Sequence, residues 1–469
     1  MLRPTRFSAR WVLPVTSPPL QDGAVLVDAD GRIAAVGPLE SVPLPDHAGT
    51  HDLGEAVLLP GLINAHAHLE LSMFRGLLDD LAFPDWIATL LRGRRDTPLG
   101  PDDFRTAARW SCVEALAAGV TTVAVTEDSD GALHALHESG QRGLVFREVF
   151  GPAPAQAPDA VRAFRELLPA LRELATDLVR IGISPHAPYS VSDELFAASA
   201  RLARDEDLPI AVHAAESADE AALVAHGTGV FAERLRDRGI ATPVRARSTI
   251  ALLGRTGILA CRPLLIHCVR LDAQDIAELA GTGVRVVHCP VANARLGHGV
   301  APVLELLAAG VTVAIGTDSV ASNNRMDMLE EARFAQLLVR AQTASATSLP
   351  ADRLLRMVTL DGARALGMDD RIGALEPGRD ADLCAVRLDR PHTRPVHDPL
   401  AALFHAARAS DVVLAVVRGR IVQQGGRPTS LDVDRARDDI DDVAARLRRT
   451  LRAGSVTANN AVPARRGPA

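Results

Sequence analysis

The order of apolar runs constrains the fold of this chain more than any other feature. Short runs rich in Val, Ile and Leu occur at 57–63, 121–126, 144–149, 180–184, 209–213, 264–268, 284–288 and 311–316. Amphipathic helical patterns fill most of the intervals, as at 104–118, 192–205 and 272–279. A strand that is apolar throughout must be covered on both faces, and alternation with helices is how a parallel sheet achieves this. Eight such units predict an α/β fold of the (β/α)8 TIM-barrel type with insertions. A doubly wound open sheet is the alternative that pattern alone leaves standing.

The two ends read differently. Residues 24–28 and 32–36 flank an Asp30-Gly31 turn and predict a β-hairpin. Short β-rich runs return at 380–387 and 412–424, with a turn at Gly419. Residues 1–59 and 370–428 are therefore expected to form one small discontinuous β-sandwich around a barrel of 60–369. Residues 434–452 predict a polar helix, and 429–469 reads as that helix followed by a small, polar, disordered tail.

Composition removes several classes of function. All 51 cationic residues are Arg, set against 58 acidic ones, for a net charge of −7. With one Tyr and no basic–aromatic patch, a nucleic-acid partner is not expected. The absence of lysine excludes a P-loop Lys, a Schiff base and a lysine-derived metal ligand. No run of about 18 apolar residues offers a membrane span. The apolar stretch after Arg3, Arg6 and Arg10 is broken by Pro14, Pro18 and Pro19, too soon for a signal peptide. Cys112, Cys261, Cys268, Cys289 and Cys384 are scattered without a C-x-x-C, which reads as a reduced, cytoplasmic protein with no Cys-based zinc site. Oligomeric state is not written in the sequence. A homodimer is the commonest assembly, and barrel helices can supply its interface.

In a barrel the chemistry sits at the carboxyl ends of the strands. The runs lead there into His66-Ala67-His68, His186, His213, His267, His288 and Asp318. Two histidines at i and i+2 face the same side of a strand, and a third histidine and an aspartate arrive from other strands. Three imidazoles and a carboxylate suit Zn2+ or Fe2+, with a water completing the shell. Glu216, three residues past His213, is either a helix-start carboxylate favoured by the macrodipole or a proton shuttle beside the metal. A loop of Leu296, Gly297, His298 and Gly299 is a candidate lid, with His298 expected at the surface.

At these residues the chain resembles the amidohydrolase superfamily. The similar branch holds S-adenosylhomocysteine/methylthioadenosine deaminases, aminodeoxyfutalosine deaminases and triazine hydrolases. The matching stretches are LLPGLINAHAHLELS (58–72), ISPHAPYSVS (183–192), AVHAAES (211–217), LLIHCVRLD (264–272), VVHCPVANARLGHGVAPV (286–303), GTDSVASNNRMDMLEEAR (316–333) and PGRDADL (377–383). The resemblance implies His66, His68, His213 and Asp318 as ligands of one divalent ion, Zn2+ before Fe2+. It implies Glu216 as proton shuttle, His267 as the histidine that polarises the attacking water, and His186 in the substrate pocket. Binuclear members of the superfamily that bridge their metals do so with a carboxylated lysine. A chain without lysine is expected to hold a single ion.

The implied reaction is hydrolytic deamination of an amino-purine nucleoside. Water activated by the metal attacks C6, Asp318 takes its proton, Glu216 protonates N1, and ammonia leaves. The segment FPDWI (83–87) resembles the nucleoside-pocket segment of this branch and places Trp86 against the substrate. Glu70, in HLELS (68–72), and the cluster Arg92, Arg94 and Arg95 resemble aminodeoxyfutalosine deaminases, whose substrate has a benzoate that arginine could pair with. That substrate, from menaquinone precursor metabolism, ranks first. Adenosylhomocysteine-type enzymes carry a ribose-binding Glu where ungapped spacing here puts Arg95, so adenosylhomocysteine, methylthioadenosine and adenosine rank second. Other readings are hydrolysis of a heterocyclic C–N or C–Cl bond and, remotely, a non-catalytic scaffold.

Overall fold

The computed structural model describes residues 2–459, with side chains placed through Arg452. Eight parallel strands follow one another around a ring. The first four, Leu62–His68, Val120–Glu127, Arg142–Val149 and Val179–Pro185, pair in sequence. A parallel bridge from Ile183 to Ile210 leads to Ala211–Ala214, then Leu264–His267, Arg285–His288 and Thr312–Ile315. The chain then continues to Asp318 and Ser319, which pair with Ala67 and His68 of the first strand. The ring thus closes on itself. Asn64 fastens the closure, donating from Nδ2 to Thr317 Oγ1 at 2.7 Å and accepting from the Thr317 N–H at 3.0 Å.

Alternate side chains of the strands fill the ring. Ile63, Leu144, Phe146, Ile266, Val287 and Ala314 form its interior layer. The outward-facing set packs under the helices that follow the strands. Local sequence sets those helices. Ser192 Oγ accepts from the Leu195 N–H at the start of Asp193–Asp205, and Asp272 caps Ala273–Leu279.

One strand begins later than the apolar pattern predicts. The run 57–63 is divided between two sheets. Ala56–Pro60 pairs with Thr5–Val12 and Leu383–Arg387, and only from Leu62 does the chain enter the barrel. Hydropathy does not change at the junction, and in the sequence only the Pro60-Gly61 pair marks it. Sterics explain the glycine, because a Cβ on Gly61 would lie 2.0 Å from Thr121 Oγ1.

Strands from both ends of the chain share one nine-stranded sheet. The expected hairpin is present, Leu20–Val27 against Ile33–Pro38, and so is the later one, Val412–Val417 against Arg420–Gln424. A buried ion cluster joins this sheet to the barrel. Arg142, at the start of the third barrel strand, bonds Asp382 at 2.9 Å and 3.2 Å and Asp380 at 2.9 Å. Asp380 also has Arg371, whereas Asp382 has otherwise only the Arg418 N–H. Arg142→Ala is therefore expected to strand a buried carboxylate and destabilise the protein by about 3–5 kcal/mol. The check is a lowered midpoint in thermal unfolding.

The C-terminal helix, Val433–Asn459, is not polar on all sides. Ile440, Val443 and Leu447, at helical spacing, pack with Phe74, Phe83 and Trp86. The helix runs past the expected 434–452, so 453–459 are helical where the disordered tail was expected, and the tail reading for 460–469 lies outside the described residues. Among the described residues no helix is long and apolar enough to cross a membrane.

Candidate metal centre and active site

The carboxyl ends of the barrel strands bring the predicted ligands together. His66 and His68 leave the first strand on the same side, as their i, i+2 spacing requires, and His213 approaches from the fifth. Their ligand nitrogens lie within 4.8 Å of one another. Asp318 Oδ1 is 3.3 Å from His66 Nε2 and 3.5 Å from His68 Nε2. Ser322 Oγ donates to Asp318 Oδ2 at 2.8 Å, which fixes the carboxylate. His213 Nδ1 lies 3.2 Å from the His186 carbonyl, a bond in which the ring nitrogen donates, leaving Nε2 for a ligand role.

Electrostatics fit the donor set to a cation. Burial pushes the His68 imidazole down to about 3, with the neighbouring His66 ring adding to it, and burial also lowers His66 and His213. All three rings are thus neutral, with lone pairs to give. Burial alone would raise Asp318, but His66, His267 and His68 outweigh it and hold the carboxyl well below its usual range. Three neutral imidazoles and one carboxylate match a tetrahedral or five-coordinate divalent site.

Glu216 stands beside this group. Its side chain is buried, with Oε1 3.6 Å from His267 Nε2 and 3.2 Å from His298 Nε2. The His267 ring is oriented from behind, its Nδ1 lying 2.9 Å from Asn293 Oδ1, which accepts. Glu216 sits on a short loop that Glu220 holds in place. The Glu220 carboxylate accepts the Ala215 and Glu216 N–H groups at 2.8 Å and 3.1 Å, and the Thr249 hydroxyl at 2.5 Å. Burial lifts Glu220 to about 7 against that hydroxyl's pull. Ala215, His267 and Asp318 all have positive φ, a costly conformation for residues with a Cβ, and strain of this kind gathers at functional sites.

His298 is not a surface residue, contrary to the sequence reading. It is 3% exposed, and the Phe83 ring lies edge-on to it at 4.5 Å between centroids. Its loop looks exposed in sequence because Gly297 and Gly299 flank it. The fold tucks that loop against Phe83, the first residue of helix Phe83–Asp96, which sets His298 beside Glu216. His298 lies within the matching stretch 286–303, and Glu220 stands three residues after Ser217 as in a helix capping box, but neither signal points to Glu216. Only the convergence of separate loops makes them neighbours of Glu216.

The expected substrate residues separate. His186 lies in the site, its ring 4.8 Å from that of His213. Trp86 is a packing residue, buried among Phe83, Phe231 and Leu447 with Nε1 donating to the Ala321 carbonyl. Glu70 is buried and accepts from Ser129, and its own N–H donates to Glu127 Oε1 at 2.7 Å. Arg95 does not reach the site. Its side chain is 76% exposed and bonded to neighbouring Asp96 at 2.7 Å, because its helical position faces solvent. Arg94 is held by Asp128 at 2.6 Å, and Arg92 is half-buried on the same helix. Arg95→Ala is expected to leave kcat/KM within about twofold of wild type, since its side chain stands in solvent and bonds Asp96 rather than any group of the site.

The chain is similar to known proteins. A model described as the amidohydrolase family matches residues 57–422. A 5-methylthioadenosine/S-adenosylhomocysteine deaminase of Syntrophobacter fumaroxidans is 36% identical over 431 residues, covering 91% of this chain and 94% of that one. A 5'-deoxyadenosine deaminase of Methanothermobacter thermautotrophicus is 33% identical, covering 88% and 93%. The crystal structure of an adenosine deaminase from Xanthomonas campestris with bound zinc superposes with a TM-score of 0.82 at 30% identity, covering 95% of this chain and 99% of that one.

Proposed function

Because the chain belongs to the amidohydrolase family, as a hydrolase acting on carbon–nitrogen bonds, we propose that it removes the 6-amino group of an adenine nucleoside as ammonia. The observation that carries this reading is the seat of Glu216. A buried carboxyl faces the ligand cluster on a loop three residues past His213, with His267 beside it. A ring nitrogen that must gain a proton as its neighbouring carbon is attacked needs such a group.

His66, His68, His213 and Asp318 would hold one divalent ion, zinc by the donor set and by the bound zinc of the Xanthomonas relative. Such an ion, when bound, supplies Lewis acidity and lowers the pKa of a water to about 7. The chain's own groups then move the protons. Asp318 accepts one from water as the C6–O bond forms, and Glu216 gives its proton to N1. The proton on Asp318 passes to the exocyclic nitrogen, the C6–N bond breaks, and ammonia leaves. The hydroxyl proton left on C6 returns to Glu216 as the carbonyl forms. His267, its Nδ1 hydrogen tied to Asn293, presents Nε2 to orient the attacking oxygen.

Two of the three arginines that favoured aminodeoxyfutalosine are engaged elsewhere, Arg95 facing solvent and Arg94 bonded to Asp128. The names of the relatives favour methylthioadenosine, adenosylhomocysteine and 5'-deoxyadenosine, which we place ahead of it. Ammonia release across these four, adenosine, guanine and a triazine tests the reading. Preference for a 5'-modified adenosine is the expected result. Release from the guanine or triazine alone would overturn it.

A further inference from the structure

The site contains a buried carboxyl that the reaction above does not use. Glu148 is the last inward-facing residue of the third barrel strand, directly above Phe146 in the alternation that lines the ring. It pairs in register with Ser184, so it stands at the mouth beside the chain that leads into His186. It is 9% exposed, and its Oε1 has no hydrogen-bond partner among the described residues. The nearest polar atom of note is His186 Nε2 at 3.9 Å, too far for a direct hydrogen bond.

The histidine's other nitrogen fixes what Nε2 can do. His186 Nδ1 is 2.7 Å from Ser190 Oγ, and the Ser190 hydroxyl donates to the Ala187 carbonyl. Ser190 therefore accepts, Nδ1 carries the ring hydrogen, and Nε2 is a bare acceptor. The mouth thus presents a carboxyl oxygen and an imidazole lone pair, side by side and not bonded to each other. Both stand next to His213, one of the proposed metal ligands. A ligand satisfies the two by bringing hydroxyl donors. A vicinal diol brings two, set close enough to meet both.

We infer that Glu148, with His186, is a specificity-determining residue that holds the ribose hydroxyls of the nucleoside. This rests on the deaminase reading above.

The test compares kcat/KM for adenosine, 2'-deoxyadenosine and 3'-deoxyadenosine in wild type, Glu148→Ala and Glu148→Gln. Wild type is expected to lose about 5- to 100-fold on at least one deoxy analogue, the range for leaving a buried polar group without its partner. Glu148→Ala is expected to lose as much on adenosine while changing little on that analogue, mainly through KM. Glu148→Gln, which keeps the shape and one acceptor oxygen, should fall between and guards against a failure to fold. Equal treatment of the three nucleosides by wild type, or an equal loss on all three in the variants, would overturn the inference while leaving the deaminase reading standing. Ammonia from none of the three would remove both.

Discussion

Glu216→Gln is expected to retain its fold and metal content and to lower kcat about 10²–10⁴-fold, the range for loss of a positioned proton donor. The amide has the size and shape of the acid. The N–H groups at 215 and 216 would still bond Glu220, so the loop keeps its course. What is lost is a proton that can move to N1 and return. KM should change little, because the substituted atoms act in the transition state more than in binding. Steady-state ammonia release alongside metal analysis checks this. A variant with near-normal turnover would place the proton donor elsewhere, and His298, 3.2 Å from the same oxygen, is where to look first.

Stripping the metal with a chelator should reduce turnover to below about 1% of the loaded enzyme and lower the unfolding midpoint. Loss of an activated water removes the nucleophile at neutral pH. Loss of a tightly bound ion also removes stabilisation, about 4 kcal/mol at a thousandfold excess over Kd. Added Zn2+ should restore both in wild type. In Asp318→Ala it should restore neither, because the three neutral imidazoles would lack the one anionic ligand. Full activity after exhaustive chelation would sink the metal assignment. Comparison of Zn2+ with Fe2+ in the same reconstitution identifies the better ion.

The parts of the fold that follow from periodicity were legible in the sequence. All eight apolar runs overlap the barrel strands they predicted, the first only at residues 62–63, and both hairpins formed where the Gly turns placed them. The first strand was displaced because the apolar run crosses from one sheet to another without a polar residue to mark the change. In the site, residues at strand ends were found because strand direction alone aims them at one mouth. His66, His68, His213, His267 and Asp318 are of this kind. Residues whose placement depends on loops and helix rotation were not. Arg95 is one helical turn too exposed, Trp86 is consumed by packing, and His298 is folded inward by the helix above it. Glu148 sat in plain view in an apolar strand, and only the missing partner shown by the fold gives it meaning.

The last barrel strand is shared between two neighbours, 312–315 with the seventh strand and 318–319 with the first. The ring is sewn shut beside Asn64 and Thr317, 253 residues apart in the chain. The proposed ligands His66 and Asp318 lie on either side of that stitch. An ion held there is a buckle as well as a reagent, joining the first and last strands of the barrel to each other. Amide hydrogen exchange should therefore speed up selectively in 62–68 and 312–319 once the ion is stripped, while the third and fourth strands keep their protection.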